Sequence, residues 1–410
     1  MIRLSHPTGI AKETISLPNS KSIANRMLVL RKLYKSNLAI EQLSNANDTI
    51  VLSNLLESEN EILDVQDAGT VFRFLVAYCS VTNGTRKLSG TNRLNERPIK
   101  RLVKVLRDCG AKIKYLEKEG FAPLEITGKQ LEFTSEIVDF TEVKSSQFVS
   151  AFLMITPKIK GDFKIKVNPS MNSLSYVQMT LECMQQFGFS FSMDKGLIEL
   201  NGYSESAIEL LTVEPDWSAF YYWFAIAHLA KKVELKFPGL KLSNIQQDSA
   251  VLGLISNTCL EVRELEDGLL LLKEEEGQIE LETPLNLAQF PDLAPTFSHL
   301  LAALKVQMQF TGLESLEFKE CDRDLAIKEN LKLLNVEWLS VGDNWKLDAK
   351  EFSLLDGITF ETYQDHRMAM CVAPLALVKP IKIQNPEVVS KSYPNFWSDL
   401  ESAGFKIEYL

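Results

Sequence analysis

The sequence predicts an α/β protein assembled from a repeated helix–strand–strand module, and three observations carry that prediction. An amphipathic helical pattern, a break at a small or turn-forming residue, and then period-two alternation recur six times along the chain. Several copies are followed by a turn and a short second strand. A second set of helices opens on capping residues and continues almost wholly apolar, the mark of helices buried on most sides.

In chain order, the copies are "NLLESENEILDV" (54–65), "LVKVLRDCGAKIKYL" (102–116), "MTLECMQQFGFSFSM" (179–193), "VLGLISNTCLEVREL" (251–265), "IKENLKLLNVEWLS" (327–340) and "FWSDLESAGFKIEYL" (396–410). Second strands follow as "PLEITG" (123–128), "GLIELNG" (196–202), "GLLLLK" (268–273) and "NWKLDA" (344–349). The module is roughly seventy residues long and is repeated six times. Its uneven spacing favours a closed arrangement over an extended solenoid. The buried helices are "DAGTVFRFLVAYC" (67–79), "VKSSQFVSAFLMI" (143–155), "EPDWSAFYYWFAIA" (214–227), "FPDLAPTFSHLLAAL" (290–304) and "YQDHRMAMCVAPLAL" (363–377). A further helix is expected directly after "LPNSKS" (17–22).

At 410 residues the chain is long enough for two domains. Its net charge of −10 argues against nucleic acid or anionic membrane as a partner. "MIRLSHPTG" does not resemble a signal peptide, and no apolar run approaches the ~18 residues of a spanning helix. The six cysteines form no CxxC pair and the four histidines are dispersed, which points to reduced thiols in a cytoplasm and away from a metal site.

Against this acidic background, cations gather at helix entrances: Lys21, Arg26, Arg73, Arg97, Lys319, Arg323, Arg367 and Lys391. Helix N-termini present free N–H groups and favour negative charge, so cations placed there suit an anionic ligand. Taken singly, each is read first as a solvated surface charge, but the eight together weaken that reading. Asp216, Asp292, Glu320 and Asp365 lie near the same helix starts, where a carboxylate either caps the helix or moves a proton among charge-holding cations. Ser145, Ser146 and Gln147 in "SSQF" suit either capping or phosphate oxygens.

These runs resemble the 5-enolpyruvylshikimate-3-phosphate synthase family. "LPNSKSIANR" is similar to its LPGSKSxSNR motif, "DAGTVFRFL" to NAGTAxRPL, and "ERPIKRLVKVLRDCGAKI" to ERPxxxLxxALxxLGA. "SSQF", "PD" (291–292), "KECDR", "DHRMAM" and "SKSYPNFW" follow in the family's order, from about Leu17 to Trp397. The resemblance implies two similar domains, each of three modules with helices inside and sheets outside, an inside-out α/β barrel. It implies crossings near residues 18 and 215, so that 1–18 and 216–410 form domain I, 19–215 form domain II, and the active site lies in the cleft between them.

By the same resemblance, shikimate-3-phosphate is held by Lys21, Ser22, Arg26, Ser145, Ser146, Gln147, Ser173, Tyr176, Asp292 and Lys319. Phosphoenolpyruvate is held by Lys21, Gly69, Arg97, Gln147, Arg323, Arg367 and Lys391. Asp292, Glu320 and Lys21 are the implied catalytic groups, with no metal or other cofactor. The expected protein is a cytoplasmic monomer and a glyphosate target. Some positions depart from the family pattern: Asn19 stands for Gly, Asp67 for Asn, Phe74 for Pro and Ser315 for Asn, and "SLSY" lacks the Lys-Pro of SKPY. The alternatives are the related transferase acting on UDP-N-acetylglucosamine and an anion-binding relative without catalysis. Ser22 and Arg26, the absence of Cys from 84–100, and the presence of both Asp292 and Glu320 speak against them.

Overall fold

Helices that are apolar on most sides need burial on most sides, and the fold provides it by gathering them in the interior of each of two units. The computed structural model describes all residues except 36, 144, 205–207, 243–244, 255–258 and 276–280. One unit is Lys21–Val213, and the other joins Met1–Ser20 to Glu214–Leu410. The crossings lie side by side. Ser20 N–H donates to Glu214 O at 2.8 Å, Asp216 N–H donates to Pro18 O at 2.8 Å, and Asn19 bridges Pro215.

The unit Lys21–Val213 contains α1 (Lys21–Tyr34), α2 (Asn47–Glu57), α3 (Gly69–Val81), α4 (Asn92–Asn95), α5 (Lys100–Asp108), α6 (Ser146–Ile155) and α7 (Leu174–Gln186). α1, α3, α6 and α7 pack on one another. Phe72, Phe74 and Phe152 are fully buried among them. Each such side chain contributes about 1.5–3 kcal/mol over its exposed state.

Two four-stranded sheets belong to this unit. The first runs in the spatial order Ile62–Asp64, Gly84–Ser89, Leu124–Gly128, Lys112–Tyr115. Its first pair is parallel and the other two are antiparallel. Ile137–Phe140, Lys164–Val167, Leu197–Tyr203 and Phe189–Asp194 repeat that plan. The parallel crossovers pass through α3 and α6, and α5 and α7 lead into the hairpins. The two helix classes of the sequence are therefore two halves of one strand–helix–strand–helix–hairpin module.

The copy at 54–65 departs from expectation. Its strand Ile62–Asp64 forms no hairpin and instead opens the next sheet, parallel to Gly84–Ser89. In its place Ala39–Glu41 pairs in parallel with Leu210–Thr212, bringing the two ends of the unit together.

The second unit contains α8 (Trp217–Leu229), α9 (Ala294–Ala303), α10 (Arg323–Lys332), α11 (His366–Val372) and α12 (Phe396–Ser402). Asp216 caps α8 through Ser218 N–H at 2.9 Å, and Trp217, Phe220, Tyr221 and Trp223 are buried along it. Three four-stranded sheets share the plan seen above. In the third, Ile2–Ser5 fills the last hairpin position, antiparallel to both Ile381–Ile383 and Lys406–Tyr409. The helix expected at 251–265 is a 3-10 helix, Gln247–Leu254, followed by the hairpin Glu261–Leu265 and Gly268–Lys273. The sequence there is rich in Gly, Ser, Asn and Thr, which are weak helix formers. Among the described residues no helix is long and apolar enough to cross a membrane.

Candidate active site

Many of the implied site residues fall on or near helix starts, in both units. In Lys21–Val213, Lys21 opens α1 and its Nζ lies 2.9 Å from Asp48 Oδ2, in the first turn of α2. Arg26 is buried one turn further on. Its guanidinium donates to Thr180 Oγ1 (2.7 Å), Ser22 O (2.8 Å), Ser150 Oγ (3.2 Å) and Tyr176 O (3.1 Å), and it stacks near Phe74 and Tyr176. Burial pulls Arg26 down to about 10, with no carboxylate among these partners to oppose it. Phe74, in place of the family's Pro, thus becomes part of the wall that supports Arg26.

Gly69 opens α3 between two arginines. A Cβ there would meet the Arg97 guanidinium, with Cζ at 2.8 Å, and Arg73 Nη1 at 2.7 Å. Arg73 is held by Gly69 O at 2.8 Å, and Arg97 follows α4 with its N–H on Leu94 O. Both guanidinium groups are buried. Ser145 occupies the N-cap position of α6 but makes no side-chain capping bond. Ser173 occupies that of α7 in the left-handed region, φ 62°, also without one. A non-glycine residue held there carries backbone strain, which clusters at ligand-contacting positions.

In the second unit the centre is Arg323, the first residue of α10. It donates to Asp292 Oδ1 at 2.8 Å, Glu320 Oε2 at 2.7 Å and Asp365 Oδ2 at 2.7 Å. Asp292, on the 3-10 turn before α9, also meets Lys319 Nζ at 2.9 Å and Arg367 Nη2 at 3.4 Å. Burial by itself would raise the Asp292 carboxyl, but Lys319, Arg367 and Arg323 outweigh it and hold Asp292 well below the usual carboxylate range. Lys391 ends the 3-10 turn Pro386–Lys391, which packs against α11, and its side chain is buried.

One buried position, Asp48, goes beyond the residues singled out in the sequence, and Asp365, read there as a helix-start carboxylate, gains a partner. Asp48 holds Lys21, and Asp365 caps α11 through Arg367 N–H at 2.9 Å while accepting from Arg323. An acidic residue in a first helical turn has an ordinary explanation at the helix start, so sequence gives little reason to single out Asp48.

With this geometry in place, the comparisons decide the family. The family model described as EPSP synthase (3-phosphoshikimate 1-carboxyvinyltransferase) matches residues 50–400. The chain belongs to the EPSP synthase family. A 3-phosphoshikimate 1-carboxyvinyltransferase of Bacteroides fragilis is 39% identical over 409 residues, covering 99% of this chain and 98% of that one. One from Tolumonas auensis is 28% identical, with 97% of each chain covered. An EPSP synthase structure from Acinetobacter baumannii superposes with a TM-score of 0.76 at 18% identity, over 100% of this chain and 99% of that one, a likeness of fold. The EPSP synthase fold accounts for the interior helices and outer sheets found in each unit.

Proposed function

We propose that the chain transfers the enolpyruvyl group of phosphoenolpyruvate to the 5-hydroxyl of shikimate-3-phosphate and releases phosphate, in a site to which both units contribute. It acts as a monomer in the cytoplasm. The observation that carries this reading is the charge arrangement at Asp292, where one carboxylate is shared by Lys319, Arg323 and Arg367. Both substrates are polyanions, and these cations are the groups that would hold them, with Lys21, Arg26 and Arg97 contributed from the other unit.

The chemistry needs an acid, a base and fixed cations. A proton from Glu320 goes to C3 of phosphoenolpyruvate, leaving C2 electron-poor. The 5-hydroxyl oxygen bonds to C2 as its proton passes to Asp292. The resulting tetrahedral adduct loses a C3 proton and phosphate, restoring the double bond in the product. Lys21 and the arginines hold the phosphate and carboxylate charges throughout.

Asp292 in its present setting is a poor base, because three cations stabilise its anion. Substrate anions compete for those same cations. Binding therefore raises the basicity of Asp292 at the moment a proton must be accepted. A coupled phosphate-release assay tests the function. Release is expected only with both phosphoenolpyruvate and shikimate-3-phosphate. Release with UDP-N-acetylglucosamine as the acceptor, or none with either, overturns the reading.

A further inference from the structure

Asn25 is fully buried in α1, and neither its Oδ1 nor its Nδ2 has a hydrogen-bond partner among the described residues. An amide shut away in this manner is costly, and a leucine, with the same branching and heavy-atom number, carries no polar atoms to leave unpaired. Asn25 stands one helical turn after Lys21, and residues four apart share a helix face. α1 packs on α2, and on that face Lys21 gives its ammonium to Asp48 Oδ2 at the start of α2. The other Asp48 oxygen, Oδ1, is buried and likewise without a partner, as is the hydroxyl of neighbouring Thr49. Buried polar atoms of this kind are commonly joined by an internal water making about three bonds.

We propose that Asn25 is a positioning residue for Lys21: through an internal water shared with Asp48 Oδ1, it fixes the Lys21–Asp48 pair at the mouth of α1. The proposal rests on the role given to Lys21 under the proposed function. Arg26, the next residue, points to different partners on α6 and α7 and is not part of this arrangement. Lys21 itself is partly exposed, with its side chain 18% accessible, whereas Asp48 is 3% accessible. The ammonium can thus reach a ligand while its counter-ion is held from behind, and Asn25 sets where that counter-ion sits.

The test compares Asn25→Leu and Asn25→Ser with the parent in the phosphate-release assay, alongside thermal unfolding. The Leu variant is expected to keep or raise its unfolding midpoint while kcat falls about tenfold. The Ser variant, which offers a hydroxyl in place of the amide and leaves room for water, is expected to stay within about threefold of the parent. A high-resolution crystal structure should place one ordered water within hydrogen-bond distance of both Asn25 and Asp48. A Leu variant with parental kcat overturns the proposal. So does a Ser variant as slow as the Leu variant, a Leu variant that does not fold, or a crystal structure in which the amide bonds directly to protein groups. A parent protein inactive with both substrates overturns the functional reading itself.

Discussion

Arg323 and Asp365 meet fork to fork: Nε donates to Oδ2 at 2.7 Å and Nη2 to Oδ1 at 3.2 Å, with both side chains sealed from solvent. The remaining Arg323 donors reach Asp292 and Glu320. Burial by itself would lower the Arg323 guanidinium, but Asp365, Glu320 and Asp292 together hold it well above its ordinary value. Removing one charge of a buried pair leaves the other uncompensated, at about 3–5 kcal/mol. Asp365→Asn is therefore expected to lower unfolding free energy by about 3 kcal/mol, read by urea denaturation. A loss below ~1 kcal/mol would mean that Asp292 and Glu320 suffice to hold Arg323.

Glu320→Gln keeps the shape of the side chain, which meets Arg323, but removes the acid that the proposed function assigns to it. Turnover is expected to fall by about 10²–10⁴, the usual worth of a positioned acid. Shikimate-3-phosphate affinity, measured by calorimetry, should change little. Near-parental turnover would remove Glu320 from proton transfer.

Gly69→Ala tests the phosphoenolpyruvate subsite. The added methyl meets the tips of Arg97 and Arg73, which are flexible side-chain ends, so accommodation by displacement is expected. Displacing Arg97 should raise the Michaelis constant for phosphoenolpyruvate. Glyphosate, as the longer ligand, should lose more, by about 1–3 kcal/mol over the substrate. Equal factors for the two, or a parent enzyme indifferent to glyphosate, would contradict this view of Gly69.

Two buried histidines set part of the acid sensitivity. Burial, with Lys273 adding to it, pulls His228 down to about 3. Burial pulls His299 down to about 4 against its bond to Pro295 O. The unfolded chain titrates near ~6.5. Below that pH it binds protons that the folded state refuses, so stability falls as pH drops from ~6.5 towards the folded values. At pH 5 each histidine costs about 2 kcal/mol. Asp248 acts in the opposite sense. Burial, then Asp216, raise it to about 7, so its neutral form favours the folded state below that pH and the advantage is lost on rising through it. The comparison is therefore made variant against parent: His228→Gln should lose about 2 kcal/mol less than the parent between pH 8 and pH 5 in urea unfolding. Equal losses would contradict the assignment.

The modules were legible because α5, α7, α10 and α12 each give way at a Gly or Asn to period two, a local signal. Pairings between distant segments were not. Nothing in "IRLS" announces that Ile2–Ser5 completes a sheet with Ile381–Ile383 and Lys406–Tyr409. Likewise, nothing in 54–65 shows that its strand joins the following sheet, since a parallel partner leaves no turn signature. In the candidate site, the cations were legible as a set because they recur at helix starts. Their carboxylate partners were less so: Asp365 was legible as a helix-start carboxylate but not as the partner of Arg323, 42 residues away, and Asp48, 27 residues from Lys21, is explained locally as a first-turn residue.

The central claim is transfer by addition and elimination, with C3 of phosphoenolpyruvate protonated by the enzyme and later deprotonated. Running the reaction to partial completion in D₂O and examining the product by proton NMR tests it most directly. Addition–elimination passes through a C3 methyl group carrying one solvent-derived deuteron, so deuterium is expected in the vinyl methylene of the product. A product whose methylene remains fully protiated, formed at the normal rate, would contradict the account.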